Sequence, residues 1–165
     1  IHSCATALKA LRDRGYRRIG IALFRLGEQR RSYDYLLGLD QVHRVGFEDV
    51  TVVPWLFEQL DLAATEAWVR DNALDAVIAL SGQLGRHVIT LPSPRGGRVA
   101  FAGLSLEKDV PWSGINQHLD EIGAASVYLL RDLLLSGHRG TLPRPRIVLV
   151  EGEWVDGTTA PMRTD

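Results

Sequence analysis

The chain has 165 residues, 45% of them hydrophobic, and its 19 Lys and Arg stand against 20 Asp and Glu for a net charge of −1. That is enough sequence for one domain with a sizeable core, and it disfavours an intrinsically disordered chain. The near-neutral balance, with basic residues scattered through RRIG, QRRS and PRGGR, gives no positive face of the kind that binds nucleic acid or an acidic membrane.

Ala5, Leu8 and Leu11 recur at three-residue steps, which predicts a first helix capped by Ser3 and stopped by Gly15. RRIGIALF reads as a buried strand from about Ile19 to Phe24. A second helix is predicted from about Arg31 to Val45, with Leu36, Leu37, Leu39 and Val42 inward and Gly46 as its stop. VTVVPW gives a second strand ending at Pro54, and Asp61 is placed to cap a third helix, LAATEAWVRDN. DAVIAL is a third strand, followed by a short helix near Leu84–Ile89, the turn-rich link LPSPRGG and a fourth strand, RVAFAG. A loop through Pro111 and Trp112 leads to a long helix from Gln117 to about Ser136, then to the link TLPRPR, a last strand in IVLVEGEWV and a frayed tail.

The order β-α-β-α-β-(α)-β-α-β predicts an α/β protein with an open, mostly parallel sheet covered by helices on both faces. The long helix is apolar over most of its girth: Leu119, Ile122, Leu129, Leu130 and Leu133 lie on one face, with Val127 and Leu134 beside them. Such a helix calls for partners on more than one side.

Ligands of such sheets bind outside the carboxyl ends of the strands. The segments there carry little catalytic apparatus. LFRLGEQRR has a single Gly where a dinucleotide fold needs G-x-G-x-x-G, no Walker loop is present, and neither "LSG" nor "WSG" completes a nucleophile elbow. The five His are scattered without metal-ligand spacing, so neither a metal nor a cofactor is expected, nor an enzyme. Cys4 is the only cysteine, which rules out an internal disulfide and is compatible with a cytoplasmic setting. No run of about 18 apolar residues is available to span a membrane. What the strand ends do offer is hydroxyls, amides and rings: Tyr35, Trp55, Ser81, Gln83, Ser105, Trp112 and Gln117. These suit a neutral polar ligand held by hydrogen bonds and stacking. Each also has a structural alternative, since tryptophans cover sheet edges and serines cap helices.

Three stretches together resemble the effector-binding domain of the lactose-repressor/galactose-repressor family of transcription regulators, a domain similar in fold to periplasmic sugar-binding proteins. They are ATALKALRDRGYRRIGIAL; RRSYDYLLGLDQV; and the series DAVIALSG, RVAFAGLS, SGINQHLDEIGAASVYLLRDLL and EWVDGTT. The resemblance implies the C-terminal half of a two-lobed domain. Residues 1–112 would form the C-terminal lobe, 113–140 the crossover and a helix belonging to the other lobe, and 141–165 the returning strand and tail. Beginning at Ile1 rather than Met, the chain reads as a piece of a longer protein.

By the same resemblance, ligand-binding residues fall at Tyr35, Trp55, Ser81, Ser105 and Gln117. Tyr35, Ser81 and Ser105 replace the family's Arg, Asn and Asp. Arg31, one helical turn before Tyr35, is the residue placed to substitute for the missing Arg. The implied function is effector sensing: a small, sugar-like molecule controls DNA binding by a domain outside this chain. A homodimer is expected, with the long helix packed against a neighbouring molecule or in the dimer interface, and no membrane partner. The competing reading is a secreted solute-binding protein of a sugar transporter.

Overall fold

A computed structural model describes residues 2–106, 110–138, 140, 144 and 146–163, apart from the side chains of residues 39 and 41–45. In chain order the elements are α1 (His2–Asp13), β1 (Arg18–Phe24), α2 (Arg25–Arg30), α3 (Asp34–Gly46), β2 (Thr51–Phe57), α4 (Leu62–Asp71), β3 (Ala76–Ala79), α5 (Gly82–Val88), β4 (Ala100–Gly103), β5 (Gly114–Asn116), α6 (Leu119–Leu135) and β6 (Glu153–Val155). They build a six-stranded sheet in the order β2-β1-β3-β4-β5-β6. Its pairings are parallel except that β6 runs antiparallel to β5. This is the open, mostly parallel α/β sheet that the alternation of strands and helices predicts.

The period of two along each strand sorts the core into two layers. Ile19, Ile21 and Leu23 of β1, Ala76 and Ile78 of β3, and Ala100 and Ala102 of β4 pack with Cys4, Leu8 and Leu11 of α1 and with Tyr35 and Leu36 of α3. The intervening residues Ala22, Val77, Ala79 and Phe101 pack with Trp68 and Val69 of α4 and with Leu84 and Val88 of α5. Central strands buried on both faces read as unbroken apolar runs, which is why β1, β3 and β4 are plain in the sequence.

Gly20 belongs to the second layer, and a Cβ there would overlap the ring of Trp68 and the side chain of Leu74. Gly20→Ala is therefore expected to overpack that layer and lower stability by about 1–3 kcal/mol. A urea unfolding curve identical to that of the parent would refute the packing argument.

Asp75, fully buried, stitches the first layer at its amino end. Its two carboxylate oxygens accept the backbone N–H groups of Arg17 at 2.9 Å and Arg18 at 3.0 Å, and Arg95 Nη1 lies 3.3 Å from the first of these oxygens.

Several elements depart from the sequence expectation. The helix predicted at Arg31–Val45 is α3, which starts three residues later, at Asp34; before it stand an unpredicted short helix, α2, and a turn in which Ser32 and Tyr33 take φ of 54° and 62°. Of its expected inward residues, Leu36 packs on the core and Leu37 is exposed. Leu39 and Val42 lie outside the described side chains.

Strand β2 does not end at Pro54 but runs on to Phe57, with Pro54 in register with Ile21. Since β2 is the sheet edge, a residue without an N–H is tolerated there. The crossing segment contains a strand the sequence does not announce, β5, because three residues, Gly-Ile-Asn, are too short for a period. Gly114 pairs with Gly103 so closely that a Cβ would overlap the Gly103 backbone.

The last strand is shorter than predicted. Only Glu153–Val155 pairs, with its whole length opposite the three residues of β5, and Ile147 and Leu149 stay 81% and 85% exposed. Helix α6 carries no buried residue at all, and Val127, Leu130, Leu134 and Leu135 face solvent.

Candidate functional site

The residues that follow β1 and β5 meet at the carboxyl edge of the sheet, on the side covered by α1 and α3. Their meeting place is an open cleft of about 210 Å³ lined by Ser3, Arg31, Asp34, Tyr35, Gln117, Ile122, Val150 and Gly152. Arg31, Tyr35 and Gln117, three of the residues marked in the sequence, thus come together from α2's end, α3's first turn and the β5–α6 crossing.

The crossing is built to present Gln117. Asn116 Oδ1 accepts the N–H of His118 at 3.0 Å, a local turn of the kind Asn readily makes. This holds His118 at φ 51°, in the left-handed region, at the position before α6, where its side chain makes no capping bond. His118 Nε2 also lies 3.5 Å from Glu153 Oε1 on β6. Between these fixed neighbours Gln117 points back over β4, where its Nε2 donates to the carbonyl of Leu104 at 2.6 Å. Its side chain also lies close enough to the Tyr35 phenol to favour the ionised form of that group.

Tyr35 is half-buried. Burial pushes its phenol above the ordinary tyrosine value, with the nearby Cys4 adding to the rise and Arg31 and the Gln117 side chain opposing it. At neutral pH it is therefore a neutral O–H, able both to donate and to accept. The Arg31 guanidinium lies over its ring, 5.5 Å from the centroid, so that face of the ring is taken by a cation. Asp34 supplies a carboxylate and Ser3 a hydroxyl to the same walls, while Ile122 and Val150 give apolar contact. Cys4, beneath, is fully buried with its thiol pushed up to about 12 by burial, which makes it an unreactive packing residue.

Behind the cleft wall, Glu28 of α2 is 1% exposed, and its carboxyl is raised above the ordinary value, chiefly by burial. An acid whose folded-state pKa is raised contributes stability below its unfolded pKa, and that contribution is lost as pH rises through the folded value. Glu28→Gln is accordingly expected to favour the folded state more at pH 7 than at pH 4. Unfolding curves at the two pH values check this, and an equal effect at both would contradict it.

The other three marked residues lie elsewhere. Trp55 pairs in register with Ala22 and so faces the α4–α5 layer, where its ring sits 5.1 Å from those of Phe57 and Trp68. Ser81 caps α5, its Oγ accepting the N–H of Leu84 at 3.3 Å. Ser105 is half-buried in the bend after β4 and does not line the cleft. Conversely, sequence reasoning passed over Ser3, Asp34, Val150, Gly152 and Glu28. Ser3 was noticed only as a cap, and Asp34 could have been found from its place beside Tyr35. Nothing in the sequence brings residues 150 and 152 to this edge.

Among the described residues no group of His, Cys, Asp and Glu could hold a metal ion, and no helix is long and apolar enough to cross a membrane.

No protein-family model matches the chain, and no curated protein matches it. Solved structures do. A LacI-family transcriptional regulator from Silicibacter pomeroyi superposes with a TM-score of 0.68 at 18% identity, over 96% of this chain and 51% of that one. A periplasmic binding protein/LacI transcriptional regulator from Alkaliphilus metalliredigens QYMF, complexed with D-xylulofuranose, gives 0.68 at 16% identity, over 96% of this chain and 62% of that one. A dimeric Lac repressor gives 0.71 at 15% identity, over 98% and 62%. The chain thus has the fold shared by LacI-family transcriptional regulators and periplasmic-binding-protein-like domains, and it spans about half to two thirds of the length of the structures it matches.

Proposed function

We propose that this chain is the ligand-sensing part of a cytoplasmic transcription regulator, and that the cleft at Arg31, Tyr35 and Gln117 takes a small, sugar-like effector. The observation that carries the reading is the convergence of those three side chains, from three separate segments, at the carboxyl edge of an open α/β sheet. That edge is where such sheets bind ligands. Around the cleft stand a phenol, an amide, a hydroxyl, a guanidinium and a carboxylate, spaced to serve several hydroxyl groups at once. Ligands on solved structures of the same fold support the class: D-xylulofuranose in one, ribose in another.

In this reading the ligand is bound and released unchanged. Residues 113–140 cross toward a second lobe that closes over the cleft, and α6 buries its apolar girth there or against a second copy of the protein. Closure changes the affinity of a separate domain for operator DNA, so effector and DNA affinities are coupled reciprocally.

The test is titration calorimetry on the full-length native protein with ribose, xylulose and a panel of neutral hexoses, paired with retention of genomic DNA fragments with and without the binding sugar. Saturable binding of one sugar, together with a sugar-dependent change in DNA retention, is the expected result. Sugar binding without any DNA retention would replace the regulator with a transport component. Binding of no panel member, with a different solute class bound instead, would overturn the sugar assignment.

A further inference from the structure

Glu28 lies just behind the cleft wall and holds it through three bonds. Its backbone carbonyl accepts the N–H of Arg31 at 3.0 Å and of Tyr33 at 2.8 Å. Its carboxylate Oε2 accepts the N–H of Leu36 at 3.4 Å. Leu36 is in the first turn of α3, where N–H groups have no partner within the helix. The residue in the capping position, Tyr33, makes no side-chain bond to them. Glu28 therefore caps α3 from a different helix.

Between the two helices Ser32 and Tyr33 hold left-handed backbone angles, which non-glycine residues adopt only when their surroundings enforce them. The bonds to Glu28 span this turn. Three cleft residues hang from it: Arg31 at its start, Asp34 and Tyr35 just past its end. The neighbouring residue adds a second constraint. A Cβ at Gly27 would stand 3.0 Å from Arg31 Nη1, so the absent side chain leaves room for Arg31 to fold back against α2 and over the Tyr35 ring.

Packing alone does not account for an acid here. Oε1 of Glu28 is buried without a hydrogen-bond partner, an unfavourable state that an apolar side chain of the same length would avoid.

We propose that Glu28 is the positioning residue of the cleft: by bonding both sides of the left-handed turn it sets Arg31 and Tyr35 against Gln117. Its effect on ligand binding rests on the reading of the cleft given above, but its effect on geometry does not.

The experiment uses the full-length native protein, labelled with 15N at leucine and glutamine, in three forms: parent, E28M and E28Q. Methionine keeps the length and removes the acceptor, whereas glutamine keeps a carbonyl that Leu36 can still donate to. E28M is expected to melt at or above the parent temperature, yet to exchange its Leu36 amide about fivefold faster or more and to shift the side-chain amide signals of Gln117. E28Q is expected to return both to the parent values. A residue that merely fills space predicts parent-like Leu36 and Gln117 signals in E28M, and that result overturns the proposal. So does an E28Q protein as loosened as E28M. If E28M does not fold, E28Q decides alone: parent-like exchange at Leu36 supports the clamp, and a tenfold rise refutes it. Sugar affinity is read in parallel and is expected to fall in E28M and recover in E28Q. A parent protein that takes no sugar sinks the ligand reading of the cleft, while the amide signals still decide the role of Glu28.

Discussion

Asp75→Ala is expected to lower the free energy of unfolding by about 3–5 kcal/mol. The carboxylate is fully buried at the amino end of β3 and takes the backbone N–H groups of Arg17 and Arg18, which lead into β1. Removing it strips two part-buried backbone donors of their acceptor, and Arg95 of a carboxylate 3.3 Å away. An unsatisfied buried donor costs about 1–3 kcal/mol. Asp75→Asn should recover part of the loss, because one amide oxygen still accepts while the NH₂ confronts the second donor. Urea denaturation with an unchanged m-value measures both variants. A loss under about 1 kcal/mol for the alanine form would mean that the two amides find other partners.

The largest functional effect is expected at Gln117. Gln117→Leu preserves volume but removes the donor to the Leu104 carbonyl and the amide beside the Tyr35 phenol. With that anchoring bond and the amide itself gone, affinity for the sugar that the native protein binds should fall about 10- to 30-fold. Titration calorimetry on the full-length protein reads this directly. Ser81→Ala and Trp55→Leu are the controls: both should lower stability, through the α5 cap and the ring cluster with Trp68, and both should leave affinity alone. A loss of sugar binding in either control with Gln117→Leu unaffected would move the site to the other face of the sheet.

The contrast between Gln117 and Trp55 shows where the sequence was legible. β1, β3 and β4 announce themselves because strands covered on both faces are apolar without interruption. The resemblance then supplied Tyr35 and Gln117, and helical spacing from Tyr35 supplied Arg31. Trp55 was read as a loop residue after the second strand because Pro54 reads as a strand end, whereas on an edge strand it is merely a residue that donates nothing. Had β2 been carried through Pro54, its alternation would have turned Trp55 away from the first core layer together with Val53 and Phe57. Helix α2 and the turn after it were not legible at all, since Ser32 and Tyr33 reach left-handed angles without a glycine, held by bonds to a residue three or more positions earlier. Val150 and Gly152 reach the cleft only because β6 reverses direction against β5, a pairing too short to leave a pattern.

Helix α6 has a consequence for how the chain behaves in a test tube. None of its 17 residues is fully buried, and only Ala125, Leu129 and Leu133 are half-buried, so its hydrogen bonds rest mostly on intrinsic propensity, and isolated helices of that length are marginal in water. Its amides should therefore trade deuterium first, and a protease cutting in native buffer should open the chain between Leu119 and Leu135 long before it reaches β1. A chain so nicked would keep its sheet and its thermal transition while losing the segment that carries Ile122. Limited proteolysis followed by mass measurement would thus divide the molecule along an energetic boundary: a packed sheet on one side, and on the other a helix waiting for a surface to cover it.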